Sequence, residues 1–154
     1  MNKSAIVKSL RAQLKAQYKR SIAALDDARD GATGDDAKAE GKYDTRGLEA
    51  SYLAAGQAEQ AEELGRGVSA MEAFEFPDFD FDDPIGRGTL IEADSDGDIV
   101  YYLLAPAGGG LTCESEDGET ITVIGPASPL SGKLIGQKVG KILDDPPLMI
   151  LEVF

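Results

Sequence analysis

The sequence predicts an α+β protein: an N-terminal antiparallel helical hairpin, then a small, mostly antiparallel β domain with one short helix. Three observations predict it. Apolar residues between positions 3 and 29 advance by threes and fours, a second such run begins near Leu48, and beyond Met71 the pattern gives way to short runs broken by Gly, Asp and Pro. The expected divisions are 1–73 for the hairpin with an acidic tip near 30–48, 74–84 for a Phe/Asp/Pro linker, and 85–154 for the β domain.

The first stripe is Ile6, Val7, Leu10, Leu14, Tyr18, Ile22 and Leu25, with no Pro or Gly inside it. Such spacing places the set on one face of a long helix. The second run carries Leu48, Tyr52, Ala55, Ala61, Leu64, Val68 and Met71, with Gly56, Gly65 and Gly67 weakening its middle. Two striped helices joined by a polar segment fold back so that each buries its stripe on the other. The connecting residues 31–44 hold Asp35, Asp36, Glu40 and Asp44 and form the tip.

Residues 74–84 alternate Phe with Asp or Glu and contain Pro77 and Pro84, which excludes a helix and a central strand. The expectation is an extended linker whose Phe residues lie against the following domain. Strand-like runs follow at 88–93, 98–105, 119–124 and 148–154, separated by turn clusters at 94–98, 107–110 and 115–118. Ser128 as N-cap, Pro129 at the first helical position and Gly136 beyond Leu134-Ile135 signal a short helix.

Composition excludes several chemistries. Among 154 residues there is no His and one Cys, which removes an imidazole base, a Ser/His/Asp or Cys/His couple, an internal disulfide and the usual zinc sites. No window approaches the roughly 20 apolar residues of a membrane span, and the N-terminus lacks the apolar core of a signal peptide. The expectation is a soluble, cytoplasmic protein. With 28 acidic against 15 basic residues the net charge is -13, although residues 1–25 carry six bases and no acid. An acidic body repels nucleic-acid backbone and is steered towards basic protein surfaces.

Several local clusters invite a chemical reading. Asp94-Ser-Asp-Gly-Asp98 resembles part of a calcium loop, but its Gly falls one place early, no bidentate Glu closes it, and strands flank it, so a hairpin turn competes with that reading. Gly108-Gly109-Gly110 lacks the Lys-Ser/Thr of a phosphate loop and reads as a flexible turn. Cys113 has no base beside it and reads as a packing residue. At the tip, Asp36, Glu40 and Asp44 are spaced by four, so a helix would put three carboxylates on one face. They would then suit presentation of a divalent metal, although spacing alone fits an ordinary solvated helix end better.

The order of hairpin, acidic tip, linker and β domain carrying Ser128-Pro-Leu-Ser-Gly-Lys-Leu-Ile-Gly136 resembles the bacterial Gre-type transcript-cleavage factors (GreA/GreB-like). Ile22-Ala-Ala-Leu-Asp-Asp-Ala-Arg29 is similar to the end of their first coiled-coil helix and Tyr52-Leu-Ala-Ala55 to the start of their second. The resemblance implies an FKBP-like C-terminal domain that docks at the rim of the RNA polymerase secondary channel, and a coiled coil that enters the channel. It implies no enzyme activity of its own, no cofactor of its own, and a magnesium ion shared with the polymerase centre. It further implies a monomer that meets nucleic acid only through the polymerase.

Two features set the chain apart. Gln137 stands where the family has Lys after Leu-Ile-Gly, and the connection between Arg29 and Tyr52 is longer than in typical members. Counting back from Tyr52, the family's Asp and Glu fall on Thr45 and Leu48, which offer no carboxylate. The candidate metal-presenting acids are therefore Asp36, Glu40 and Asp44, with Glu49 beside them, and the candidate docking residues are Ser128, Pro129 and Leu130. The alternatives are a channel-binding inhibitor without cleavage activity and a coiled-coil interaction module unrelated to polymerase. Prolyl isomerase activity does not follow, because Tyr101 and Tyr102 are adjacent and only one can face inward from a strand.

Overall fold

The computed structural model describes residues 1–33 and 45–154. Two long helices come first, α1 (Lys3–Thr33) and α2 (Arg46–Ala73). Six strands follow: β1 (Leu90–Ser95), β2 (Asp98–Leu104), β3 (Thr112–Glu114), β4 (Thr120–Ile124), β5 (Ile142–Asp144) and β6 (Pro147–Val153), with α3 (Pro129–Leu134) between β4 and β5. The chain divides into two compact units. One is Gln13–Ser69, and the other joins Met1–Ala12 to Ala70–Phe154.

In the unit Gln13–Ser69 the helices run antiparallel. Leu14, Leu25 and Ala28 of α1 and Ala61 of α2 are buried, while Tyr18 and Ile22 are half-buried. Opposite Tyr18 stands Gly65, where an added Cβ would come within 3.1 Å of the Tyr18 ring, so the missing side chain lets the aromatic sit against α2. The second stripe does not bury from its start as expected. Leu48 is 57% and Tyr52 71% exposed, and Ala55 is exposed as well. Along α2 in this unit the first buried residue is Ala61, with Ala58 half-buried one turn earlier.

The other unit starts with the first turns of α1. Asn2 caps them, its Oδ1 accepting the Ala5 N–H at 3.1 Å. Arg11 reaches the end of α2: its Nε donates to the Met71 carbonyl and a terminal guanidinium nitrogen to that of Phe74, each at 2.9 Å. A cation there satisfies orphan carbonyls and meets the negative end of the helix dipole. Residues 74–84 form no helix or strand beyond that point. Phe74 and Phe76 stack edge to face at 4.8 Å, Arg11 lies over Phe76, and Phe79 packs on the sheet's core. Phe81 departs from the expectation and is exposed, because Asp80 and Asp83 close a tight turn around it.

The sheet has the order β3-β4-β2-β1-β6-β5, antiparallel except for the β2–β4 pair. Its inner face supplies Ile91, Ala93, Leu104, Ile124, Leu148, Ile150 and Val153 to a core closed by Ile85 and by Leu134 of α3. Tyr102 joins this core and Tyr101 takes the opposite face, as alternation requires. The 94–98 cluster is a hairpin turn with Ser95 paired to Asp98. Asp96 and Gly97 take positive φ of 54° and 95°, the pair that a two-residue turn matching strand twist demands. The short strands β3 and β5 were not anticipated.

Candidate partner-binding site

Asp36, Glu40 and Asp44 lie outside the described residues. Glu49 is described. It sits exposed in the first turn of α2, where a carboxylate is favoured by the helix dipole. The Thr45 hydroxyl donates to its Oε1 at 3.2 Å, and the Glu49 N–H bonds the Thr45 carbonyl at 2.9 Å. One carboxylate so held offers a metal a single ligand residue. Among the described residues no group of three or more Asp, Glu, Cys or His is gathered to hold an ion. Beside Glu49 the side chains of Leu48, Tyr52 and Leu53 stand in solvent.

The second candidate set opens α3. Ser128 is the N-cap, at φ -70° and ψ 130°, yet its hydroxyl makes no capping bond. Instead the turn is held by backbone: Ser128 N–H donates to Gly125 O at 3.1 Å and Ser131 N–H to Ser128 O at 3.0 Å. Pro129, at the first position, is exposed. Leu130 differs in kind from its two neighbours, because it is half-buried and packs on the sheet's core.

Ile135 was not among the expected docking residues, although it is 44% exposed. At φ -57° and ψ 130° it leaves the helix, so the apolar pair Leu134-Ile135 splits into one core and one surface residue. The following Gly136 and Gln137 have a structural role that the motif alone did not reveal. Gly136 N–H donates to the Ile85 carbonyl and Ile85 N–H to the Gln137 carbonyl, each at 2.8 Å. The segment after α3 thereby fixes the chain just before β1. Pro129 and Ile135 are thus presented from the two ends of one short, well-anchored helix.

Cys113 and Tyr101 of the sheet have shifted acidity. Burial pushes the Cys113 thiol up, which keeps it protonated and poorly nucleophilic, in keeping with a packing role. Tyr101 is raised by burial first and then by the negative charges of Glu92, Glu119 and Asp117, with a hydrogen bond to Glu92. No helix among the described residues is long and apolar enough to cross a membrane.

No protein-family model matches the sequence, and no curated protein matches it either. Among solved structures the chain is similar to GreA factor homolog 1 (Gfh1) of Thermus thermophilus, with 16% identity over 94% of each chain and a TM-score of 0.35. It is also similar to Gfh1 of Thermus aquaticus, with 17% identity over 95% of this chain and 94% of that one, and a TM-score of 0.34.

Proposed function

We propose that this chain is an accessory transcription factor of the Gre type, binding RNA polymerase at the secondary channel. One observation carries the reading: an antiparallel helix pair with an acid-rich connection is followed in order by a sheet domain in which Ser128-Pro129 opens a short helix. In this reading the helix pair enters the channel and the turn at Ser128, Pro129 and Leu130 docks at its rim. An acidic tip suits a channel lined with basic groups, and its association weakens as salt screens the attraction.

The chain is not an enzyme in this account. Asp36, Glu40 and Asp44, with Glu49 a weaker member, would hold a magnesium ion shared with the polymerase, and that ion supplies the activated water for cleavage of backtracked RNA. The chain's own contribution is carboxylate oxygen. A specific observation favours a second reading: Thr45 and Leu48 occupy the positions where the family carries its acids. The tip would then fill the channel without completing a metal site, and the protein would inhibit or compete with cleavage factors.

Capture of core polymerase by the immobilised chain tests the main reading. Binding at low salt that falls steeply with added salt is expected, and its absence overturns the proposal. A cleavage assay on backtracked complexes then separates stimulation from inhibition.

A further inference from the structure

The sheet carries a surface that the proposed function does not use. Cross-strand partners share a face. Pairing of Ile142 with Met149, Met149 with Asp94 and Asp94 with Ile99 therefore lines these four residues up across β5, β6, β1 and β2. They lie on the face opposite the Ile91–Ile150 core. Three are large apolar side chains left in solvent: Ile142 60%, Met149 42% and Ile99 47% exposed. Fully solvated scattered residues need no explanation, but an aligned row on one sheet face does.

Acids border the row on both sides. Glu152 is paired with Glu92 on the adjacent row of the same face, and Asp144 with the turn residue Asp96 lies on the other side, with Lys141 the neighbouring cation next to Ile142 in the chain. Like charges set directly opposite on paired strands are unfavourable, so the Glu92–Glu152 pair is a local cost that a cationic partner would relieve. The same rim argues against other occupants. Stacking a second copy on this face would set acid against acid, and anionic lipid or nucleic acid would be repelled.

We propose that this face docks a basic amphipathic helix of a partner protein lying across the strands. Positions i and i+7 of a helix are about 10.5 Å apart, and two strand spacings are about 9.6 Å. Apolar residues at i and i+7 therefore seat on Ile99 and Met149, and a third at i+11 meets Ile142. A Lys or Arg at i+3 or i+4 falls on Asp94, which lies between them. The Asp94 Oδ1 already accepts the Gly97 N–H at 2.9 Å, and that bond holds the carboxylate in place for a cation. This inference stands independently of polymerase binding.

The probe is a capped 18-residue synthetic peptide with Leu at i, i+7 and i+11 and Arg at i+3 and i+4, set against a permuted peptide of the same composition. Methyl-labelled full-length protein reports the site by NMR. Shifts confined to Ile99, Ile142 and Met149 are expected, with the permuted peptide about tenfold weaker. Met149→Ser should weaken binding about tenfold. Asp94→Asn, which keeps an acceptor for Gly97 and removes only charge, should weaken it about threefold. Shifts elsewhere, equal binding of the permuted peptide, or unchanged affinity in both variants would overturn the proposal. A dimer in sedimentation that Met149→Ser dissolves would overturn it in favour of a second copy.

Discussion

The Lys3 ammonium donates a 2.7 Å hydrogen bond to the carbonyl oxygen of Phe154, tying the third residue of the chain to its last. The same ammonium donates to the Pro77 carbonyl and lies 5.1 Å from the centre of the Phe79 ring. One buried cation thus joins the start of α1, the Phe-rich linker and the chain's end within a single unit.

Burial lowers Lys3 from 10.5 to about 8, with Asp78 partly opposing the shift. Between those values the unfolded chain holds a proton that the fold does not, so stability from this group rises as pH climbs from 8 towards 10.5. Cys113, whose thiol is raised by burial, acts in the opposite sense at high pH. Comparison with Lys3→Met cancels that contribution. Thermal melts should show the parent gaining on the variant between pH 7.5 and 9.5, whereas parallel pH profiles would contradict the assignment.

Arg11 closes the end of α2 through two charge-assisted bonds. Arg11→Met should cost about 1.5–3 kcal/mol in urea unfolding, because the Met71 and Phe74 carbonyls lose their donors. Arg11→Lys should recover part of this, since an ammonium lacks the planar fork.

Glycines at two places predict opposite signs. A Cβ at Gly109 would stand 3.1 Å from the Gly125 amide nitrogen and 3.3 Å from its Cα, backbone atoms that cannot step aside alone. Gly109→Ala should therefore destabilise by about 1–3 kcal/mol. Gly56 lies inside α2 with nothing within 4 Å of an added Cβ, so Gly56→Ala should stabilise by about 0.5–1 kcal/mol. Chemical denaturation of both variants checks the contrast.

At the α3 turn, core and surface separate cleanly by residue. Leu130→Asp places a charge against the sheet's core and should lower the melting temperature, so it is a poor test of docking. Ile135→Ser and Pro129→Ala change exposed side chains and should leave stability within about 0.5 kcal/mol while weakening polymerase capture. Full binding by both folded variants would remove this turn from the interface.

Much of the fold was legible because it rests on long periodic runs. The stripe from Ile6 to Leu25 repeats often enough to be read, and β2 and β6 are seven-residue, largely apolar runs set between turn clusters. β3 and β5 have three residues each, with Cys113 the buried residue of β3, and so little repetition carries no period. Leu48 and Tyr52 fit the stripe of α2 yet stay exposed, since apolar spacing records a stripe but not where its cover ends. Of the candidate residues, Asp36, Glu40 and Asp44 lie outside the described residues, whereas the α3 turn was legible as a capping signature. The Ile142–Met149–Asp94–Ile99 row was not, because strand register assembles it from distant segments of the chain.

In the proposed function the tip end of the hairpin enters the polymerase channel. Leu48 is exposed beside the tip, and the lone Cys113 can be replaced by Ala to leave a single engineered thiol. A hydroxyl-radical reagent tethered to Leu48→Cys in the Cys113→Ala background, bound to core polymerase, maps where that end lies. Cuts in the polymerase segments around its catalytic magnesium are predicted. A bound complex cut only on the polymerase exterior, or no complex at all, would contradict the claim.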